Sequence, residues 1–241
     1  EDEFGEHLKG MTKTTNRGIP IYLYASSGRP QIVTPLQSTT QANIKKFGQG
    51  MEMGDDIRLF ELSNDAFQTL RSQYMNINIR PGSATLAIGV VVDGYLIGVY
   101  AFSAGPTVAQ WDKHIETPTV YLLSDFPVEP TDYKHLAKLV LYAALSKESK
   151  RIAERITKRR AASLVTTAFS KNPESMKYRG LFKVLNRKHN DSLQKADWAK
   201  DIDPANAYYM QPYEINYGAP LGQWTLQEGL ALWKKKHSQK R

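Results

Sequence analysis

An Asp93-Gly94 dipeptide sits between two β-rich runs, Ala84–Val92 and Tyr95–Phe102, and restricts the fold more than any other feature of the chain. Val, Ile, Leu and aromatic residues suit the pleated surface of a strand, and Asp-Gly favours the positive φ angles of a two-residue hairpin turn. A β-hairpin is therefore expected at the centre. Before it, Ile57–Leu62 alternates like a strand, and Ser63 or Asn64 caps a helix through Asp65–Tyr74, with Phe67, Leu70 and Tyr74 at helical spacing. After it, Thr119–Leu123 reads as a strand ending in Ser124-Asp125-Phe126-Pro127, followed by one long helix capped by Thr131 or Asp132. Leu136, Leu139, Val140, Ala143 and Ala144 form its apolar stripe, and Lys147–Arg160 continues it as a basic extension. Ala162–Phe169 is the next strand. Ser170 or Asn172 then caps a short helix, Glu174–Tyr178, that Gly180 ends.

A chain of 241 residues suits one domain with elaborations. Residues 1–50 read as a polar arm, with Ile19, Ile21 and Leu23 as an apolar patch, and the acidic stretch before Met11 is set aside from the fold. Residues 51–190 form the α/β core, and 191–241 a covering segment with a basic tail and a helix over Leu226–Lys236. No cysteine is present, which excludes disulfides, thiolate-bound zinc and a thiol nucleophile and fits a reducing cytoplasm. No apolar run is long enough to span a bilayer, so neither a membrane partner nor export is expected.

Lys and Arg exceed Asp and Glu by 32 to 24, and the excess is clustered. Lys150, Arg151, Lys158, Arg159 and Arg160 lie on the helical extension, with Arg187 and Lys188 further on. A polyanion such as double-stranded DNA is one partner for such clusters. A solvated helix face explains the same charges equally well.

The order strand, helix, hairpin, strand, helix, strand, short helix with a terminal tyrosine resembles the GCN5-related N-acyltransferase superfamily. The resemblance implies a mixed α/β (α+β) sheet with flanking helices, splayed between Thr119–Leu123 and Ala162–Phe169. It also implies acetyl-CoA or a related acyl-CoA in the gap, its pyrophosphate at the N-terminus of the intervening helix, where unpaired N–H groups and the macrodipole favour an anion. Lys134, His135, Leu136 and Lys138 would then face the phosphates, with Ser170, Asn172 and Ser175 beside the donor. The superfamily's glycine-rich turn is absent, leaving Lys134 and Lys138 to supply charge. By the same resemblance Tyr178 is the general acid to the departing thiolate, a role that a phenol can fill.

Gln73-Tyr74, the hairpin Ala87–Val99, Leu123–Val128 and Thr166–Tyr178 carry a narrower likeness to the Mom-like bacteriophage proteins, which modify adenine in DNA against restriction. That likeness implies catalytic roles for Asp125, Tyr178, Tyr74 and Ser124, and a flipped adenine stacked on aromatics such as Tyr208, Tyr209, Tyr213, Tyr217 or Trp224. The family's iron site uses a histidine where this chain has Gln73, a poor transition-metal ligand, so no metal is expected. Two alternatives stay open: an N-acetyltransferase acting on a protein or small amine, and a non-catalytic nucleic-acid-binding module of the same fold. A homodimer is compatible with all three.

Overall fold

In a computed structural model of the chain, which describes residues 8–12, 21–24, 45–75, 84–103, 113–189 and 211–240, the central hairpin pairs β4 (Leu86–Val92) with β5 (Tyr95–Ser103). Val92 faces Tyr95, and the two turn residues take φ of 49° at Asp93 and 81° at Gly94. Only a residue that tolerates the left-handed region fits either place, which is why Asp-Gly specifies this turn.

Two units make up the chain, residues 1–43 and 44–241. In the first, β1 (Leu8–Thr12) pairs antiparallel with β2 (Ile21–Tyr24), so the segment before Met11 that had been set aside enters a strand. In the second, β3 (Ile57–Leu62), β6 (Thr119–Pro127), β7 (Ser163–Ser170), β8 (Lys183–His189) and β9 (Tyr213–Pro220) join the hairpin in a seven-stranded sheet. Its order is β3-β4-β5-β6-β7-β9-β8. The stretch read as a covering segment thus contributes a strand inserted between β7 and β8.

Every pairing in that sheet is antiparallel except β6 with β7. This parallel pair is short. Its register runs only from Thr119 opposite Ser163 to Tyr121 opposite Val165; beyond that β6 stays with β5 as far as Pro127, and β7 stays with β9 as far as Ser170. The two strands therefore part, as the resemblance implied. Where the ladder stops, the buried Thr166 hydroxyl donates to the Leu122 carbonyl at 2.9 Å, satisfying an acceptor that the departing strand leaves behind.

Helices cover both faces. Consecutive strand residues point to opposite faces. Gly98 faces α2 (Leu136–Ala144), whereas Phe126, which pairs with Val99, meets Phe67 of α1 (Asn64–Tyr74) at a ring separation of 6.4 Å. A Cβ at Gly98 would lie 2.5 Å from both the Phe126 carbonyl and a Val140 methyl. Gly98→Ala should therefore force β5 and α2 apart and cost about 1–3 kcal/mol, read as a lowered midpoint in urea.

The expected long helix is two helices. α2 ends at Ala144, and α3 (Lys147–Thr157) starts afresh from Ser146, whose extended backbone and side chain cap it by accepting from Ser149 N at 3.1 Å. The break is made by a distant segment: Gly222 and Gln223 donate to the Leu145 carbonyl, and Lys147 N donates to Trp224 O at 2.7 Å. α4 (Leu226–His237), opened by a Thr225–Glu228 capping box, then packs against the outer side of α2 and buries Trp233. With β5 and β6 on one side and α4 on the other, α2 is apolar nearly all round.

Candidate active site

The sheet opens towards the C-terminal ends of β6 and β7, and Asp125 lies inside β6 there rather than in the loop after it. It pairs with Tyr100 of β5. Tyr100 shares the face of Gly98 and reaches Ser149 of α3 with its hydroxyl at 2.9 Å, so Asp125 projects on the side of α2 and α3. Its side chain is only 5% exposed. Ser124, the adjacent residue, points to the face of α1, so the pleat separates the two residues that the sequence reading grouped together.

Tyr178 comes to Asp125 from the far side of the opening, donating its hydroxyl to Oδ1 at 2.9 Å. Lys177 Nζ donates to the Asp125 main-chain carbonyl at 2.6 Å and lies 2.6 Å from Oδ2. That second contact is ionic and out of line for a hydrogen bond. A buried carboxylate is thus held by a phenol and an ammonium, the compensation such a charge requires. The Tyr178 ring is fixed by Tyr217 at 4.9 Å and, edge-on, by Phe182 at 5.4 Å. Tyr217 in turn accepts Ser175 N at 2.6 Å, and burial pushes its phenol pKa up.

The expected helix Glu174–Tyr178 is a series of turns instead. Arg179 N bonds to Ser175 O, Leu181 and Phe182 N both bond to Tyr178 O, and Gly180 closes the segment at φ 83°. Too few residues lie between Pro173 and Gly180 to repay helix nucleation. Ser170 uses its hydroxyl to accept Asn172 N at 3.1 Å, and Ser175 spends its N–H on Tyr217, so these three shape the turn.

Beside this cluster a cleft of about 420 Å³ lies at the N-terminus of α2. Lys134, His135, Ala137 and Lys138 line it from the helix, Met176, Lys177 and Arg179 from the turn after β7, and His237 from the end of α4. No carboxylate is among them. The helix begins at Leu136, with His135 as an N-cap that offers no side-chain hydrogen bond. Leu136 is buried beneath the cleft, and the preceding Tyr133 is buried with its hydroxyl on Glu52 and Met53 N. Lys138 Nζ donates to Arg179 O at 2.8 Å, and burial followed by the Arg179 charge pulls its pKa down. His237 is lowered too, by burial first and then by Lys138, His135 and Lys236. Cations crowded without a counter-charge have this signature.

Other candidates lie elsewhere. Tyr74 ends α1 with its ring 5.3 Å from Lys46 Nζ, and Gln73 accepts that same ammonium at 3.4 Å, so the pair holds a cation. Among the described residues no three His, Asp or Glu side chains converge on a point. Trp224 packs on Tyr142 and donates to its carbonyl, Tyr213 packs edge-on against His189, and Tyr208 and Tyr209 lie outside the described residues.

The basic residues are divided by the sheet. Lys158, Arg159 and Arg160 precede β7, where Ala162 N bonds to Pro118 O at the N-terminal end of the parallel pair. The eight residues of β7 put them roughly 23 Å from the Asp125 end. Lys150 packs over Gly222 and Arg151 is exposed on α3. Arg187 and Lys188, exposed on edge strand β8, pair with Ile215 and Glu214 of β9, which pair with Ala168 and Phe169 near the end of β7. These two alone of the expected nucleic-acid contacts lie at the Asp125 end. Lys177, Arg179 and His237 were missed by sequence reasoning; the Lys-Tyr-Arg run around Tyr178 was the available signal for the first two.

A seven-stranded sheet whose one parallel pair opens beside a helix N-terminus, with a tyrosine across the opening, is the architecture of a GCN5-related N-acyltransferase (GNAT) fold. The chain belongs to the family described as the phage GNAT-like domain, whose model matches residues 54–238. Among solved structures it is similar to a Bacillus subtilis acetyltransferase in complex with CoA, at 18% identity, covering 68% of this chain and 97% of that one with a TM-score of 0.40. It is also similar to a GNAT family acetyltransferase from Elizabethkingia anophelis with acetyl-CoA bound, at 11% identity, 70% and 100% coverage and a TM-score of 0.39. The ribosomal-protein-S18-alanine N-acetyltransferase of Escherichia coli matches at 13% identity, 70% and 96% coverage and a TM-score of 0.39. A comparison with curated proteins finds no match. Among the described residues no helix is long and apolar enough to cross a membrane.

Proposed function

We propose that this chain transfers an acyl group from an acyl-CoA thioester to an amine held over Asp125 and Tyr178, and that the acceptor is the exocyclic amine of adenine in DNA. The observation that carries the reading is the Tyr178–Asp125 hydrogen bond across the open sheet, beside a cleft lined by cations. Acyl-CoA supplies an activated thioester. Its phosphates suit Lys134, Lys138, Lys177 and Arg179, because no carboxylate lines the cleft to repel them and the uncapped α2 N-terminus adds its dipole. Cationic side chains replace the backbone cradle that glycines form elsewhere in the superfamily.

Asp125 takes the proton that an attacking amine releases, while Lys177 Nζ, 2.6 Å from Oδ2, holds the side chain in place. Tyr178 delivers a proton to the position of the departing sulfur. Because phenol and carboxylate share one hydrogen bond, the proton gained by Asp125 can replace the one Tyr178 gives up, and the pair returns to its starting state.

The DNA acceptor is supported by the net charge of +8 and by Arg187 and Lys188, exposed at the Asp125 end of the sheet. It also follows the Mom-like resemblance of the segments around Asp125 and Tyr178. Mass spectrometry of nucleosides from DNA of cells making the protein should reveal a heavier deoxyadenosine. Unchanged nucleosides from protein that acetylates a model amine would overturn the DNA acceptor and leave a protein or small-amine N-acetyltransferase. Lys134→Ala with Lys138→Ala should weaken acetyl-CoA binding by roughly one to two orders of magnitude, since a hydrogen bond to a charged group contributes about 1.5–3 kcal/mol. Calorimetry showing an unchanged Kd would remove the cleft from the donor site.

A further inference from the structure

The end of α4 closes onto the cleft through a set of hydrogen bonds and ion pairs. Trp233 Nε1 donates to the His135 carbonyl at 2.9 Å, Lys134 N bonds to Gln239 O at 3.4 Å, and Lys240 forms an antiparallel bridge with Tyr133. Ion pairs pin this end: Lys234 with Asp55 at 2.6 Å, and Lys240 with Glu52. His237 is thereby fixed with its ring edge-on to that of His135, 5.6 Å between centroids, and both imidazoles line the cleft.

The charges around this imidazole pair are nearly all of one sign. Lys134 and Lys138 face it from the α2 side, with the neutral Tyr142 ring 6.2 Å from His237; Lys177 and Arg179 face it from the turn after β7, and Lys236 from its own helix. The neighbouring carboxylates are engaged elsewhere: Glu52 with Lys240, Asp55 with Lys234, Asp132 with Gly50 N, and Asp125 with Tyr178 and Lys177. Burial first, and then the charges of Lys138, His135 and Lys236, hold the His237 pKa below its ordinary 6.5, so near neutral pH it is uncharged in the empty cleft. A diphosphate among the same side chains reverses the sign of the local field and favours the imidazolium.

We propose that His237 joins His135 in binding the donor's phosphates and takes up a proton as it does so, which makes the C-terminal helix a part of the donor site. The inference rests on the reading of this cleft as the acyl-CoA phosphate site. Its sign follows from linkage: if the bound state has the higher pKa, binding absorbs protons and affinity rises as pH falls from about 8 towards 6, by as much as roughly tenfold per pH unit for one fully coupled proton.

The probe is acetyl-3′-dephospho-CoA, because the 3′-phosphate of intact CoA is a monoester that titrates near pH 6 by itself, whereas the diphosphate diester has no group in that range. Titration calorimetry of the full chain at pH 6.5, in several phosphate-free buffers of different ionisation enthalpy, counts the protons absorbed. The expected result is uptake of roughly half a proton or more for the wild type, and less than half of that value for His237→Gln. His135→Gln provides a second variant, and a thermal melt of each reports folding. Measurable binding with no proton uptake in the wild type, or the wild-type count in His237→Gln, would overturn the proposal and leave the cleft's donor role standing. No binding by wild-type protein at millimolar probe would overturn the donor reading itself, and this inference with it.

Discussion

Asp125→Asn should lower kcat by roughly 10²–10⁴-fold, the usual worth of a positioned general base, while leaving the donor Kd within about threefold of wild type. Asparagine keeps the shape and can still accept from Tyr178, so the hydrogen bond across the opening survives and only the proton-accepting carboxylate is lost. Lys177 remains on the Asp125 main-chain carbonyl and, being 30% exposed, is solvated without its ionic partner, so stability should fall little. Tyr178→Phe removes the proton that the leaving group needs and also takes a donor from a buried carboxylate. It should therefore lower both kcat and the melting temperature, and this difference separates chemistry from support. Single-turnover rates with a saturating model amine are the measurement. Asp125→Asn within about fivefold of wild type would show that Asp125 only ties the strands together.

Trp233→Ala should have the largest effect on stability, about 3–5 kcal/mol, because the ring is fully buried between α4 and α2 and its loss leaves a cavity that helices on both sides cannot close. For a unit near 200 residues that corresponds to a fall in Tm of roughly 6–20 °C. A second consequence is local. The indole N–H holds the His135 carbonyl at the N-cap of α2, and the ring packs on Tyr133 at 5.6 Å, so the variant also loosens the turn that carries Lys134 and His135. Trp233→Phe keeps most of the volume and loses only that hydrogen bond. It should melt within a few degrees of wild type yet bind acetyl-CoA several-fold more weakly, the polar bond being a net contribution near 1 kcal/mol. A Tm change below about 3 °C for Trp233→Ala would contradict the packing assigned to α4.

What was legible in the sequence depended on short-range physics. Asp93-Gly94 selects its turn because the φ angles needed there are local steric facts, and Ser63 caps a helix by accepting from an N–H three residues on. The β-rich runs of β4 and β5, the apolar stripe of α2 and the positive Lys134 and Lys138 at its start are likewise readable one residue at a time. Elements made by distant partners were not. Helical periodicity runs through Ser146 without a stop; the helix breaks there because residues 222–224 take its carbonyl and amide groups. β6 runs on through Asp125 to Pro127 because β5 pairs with it that far, and this puts Ser124 and Asp125 on opposite faces.

The cleft shows the same division. Residue type announced a basic helix start, but Lys177, Arg179 and His237 reach it from 40 to 100 positions away, carried by a turn and a helix whose placement depends on the whole sheet. Likewise the Lys158–Arg160 run was plain in the sequence, while the direction of β7 sets it at the end of the sheet away from Asp125. The hairpin, the Ser63 cap and the residues that carry charge could be read from the chain itself, since these depend on neighbours along it, whereas the expected Thr131 or Asp132 cap gave way to His135 at the start of α2. Tertiary structure alone decided that Asp125 meets Tyr178 and that cations from three elements share one cleft, because pairing and packing energies between segments far apart in sequence are not written in either segment.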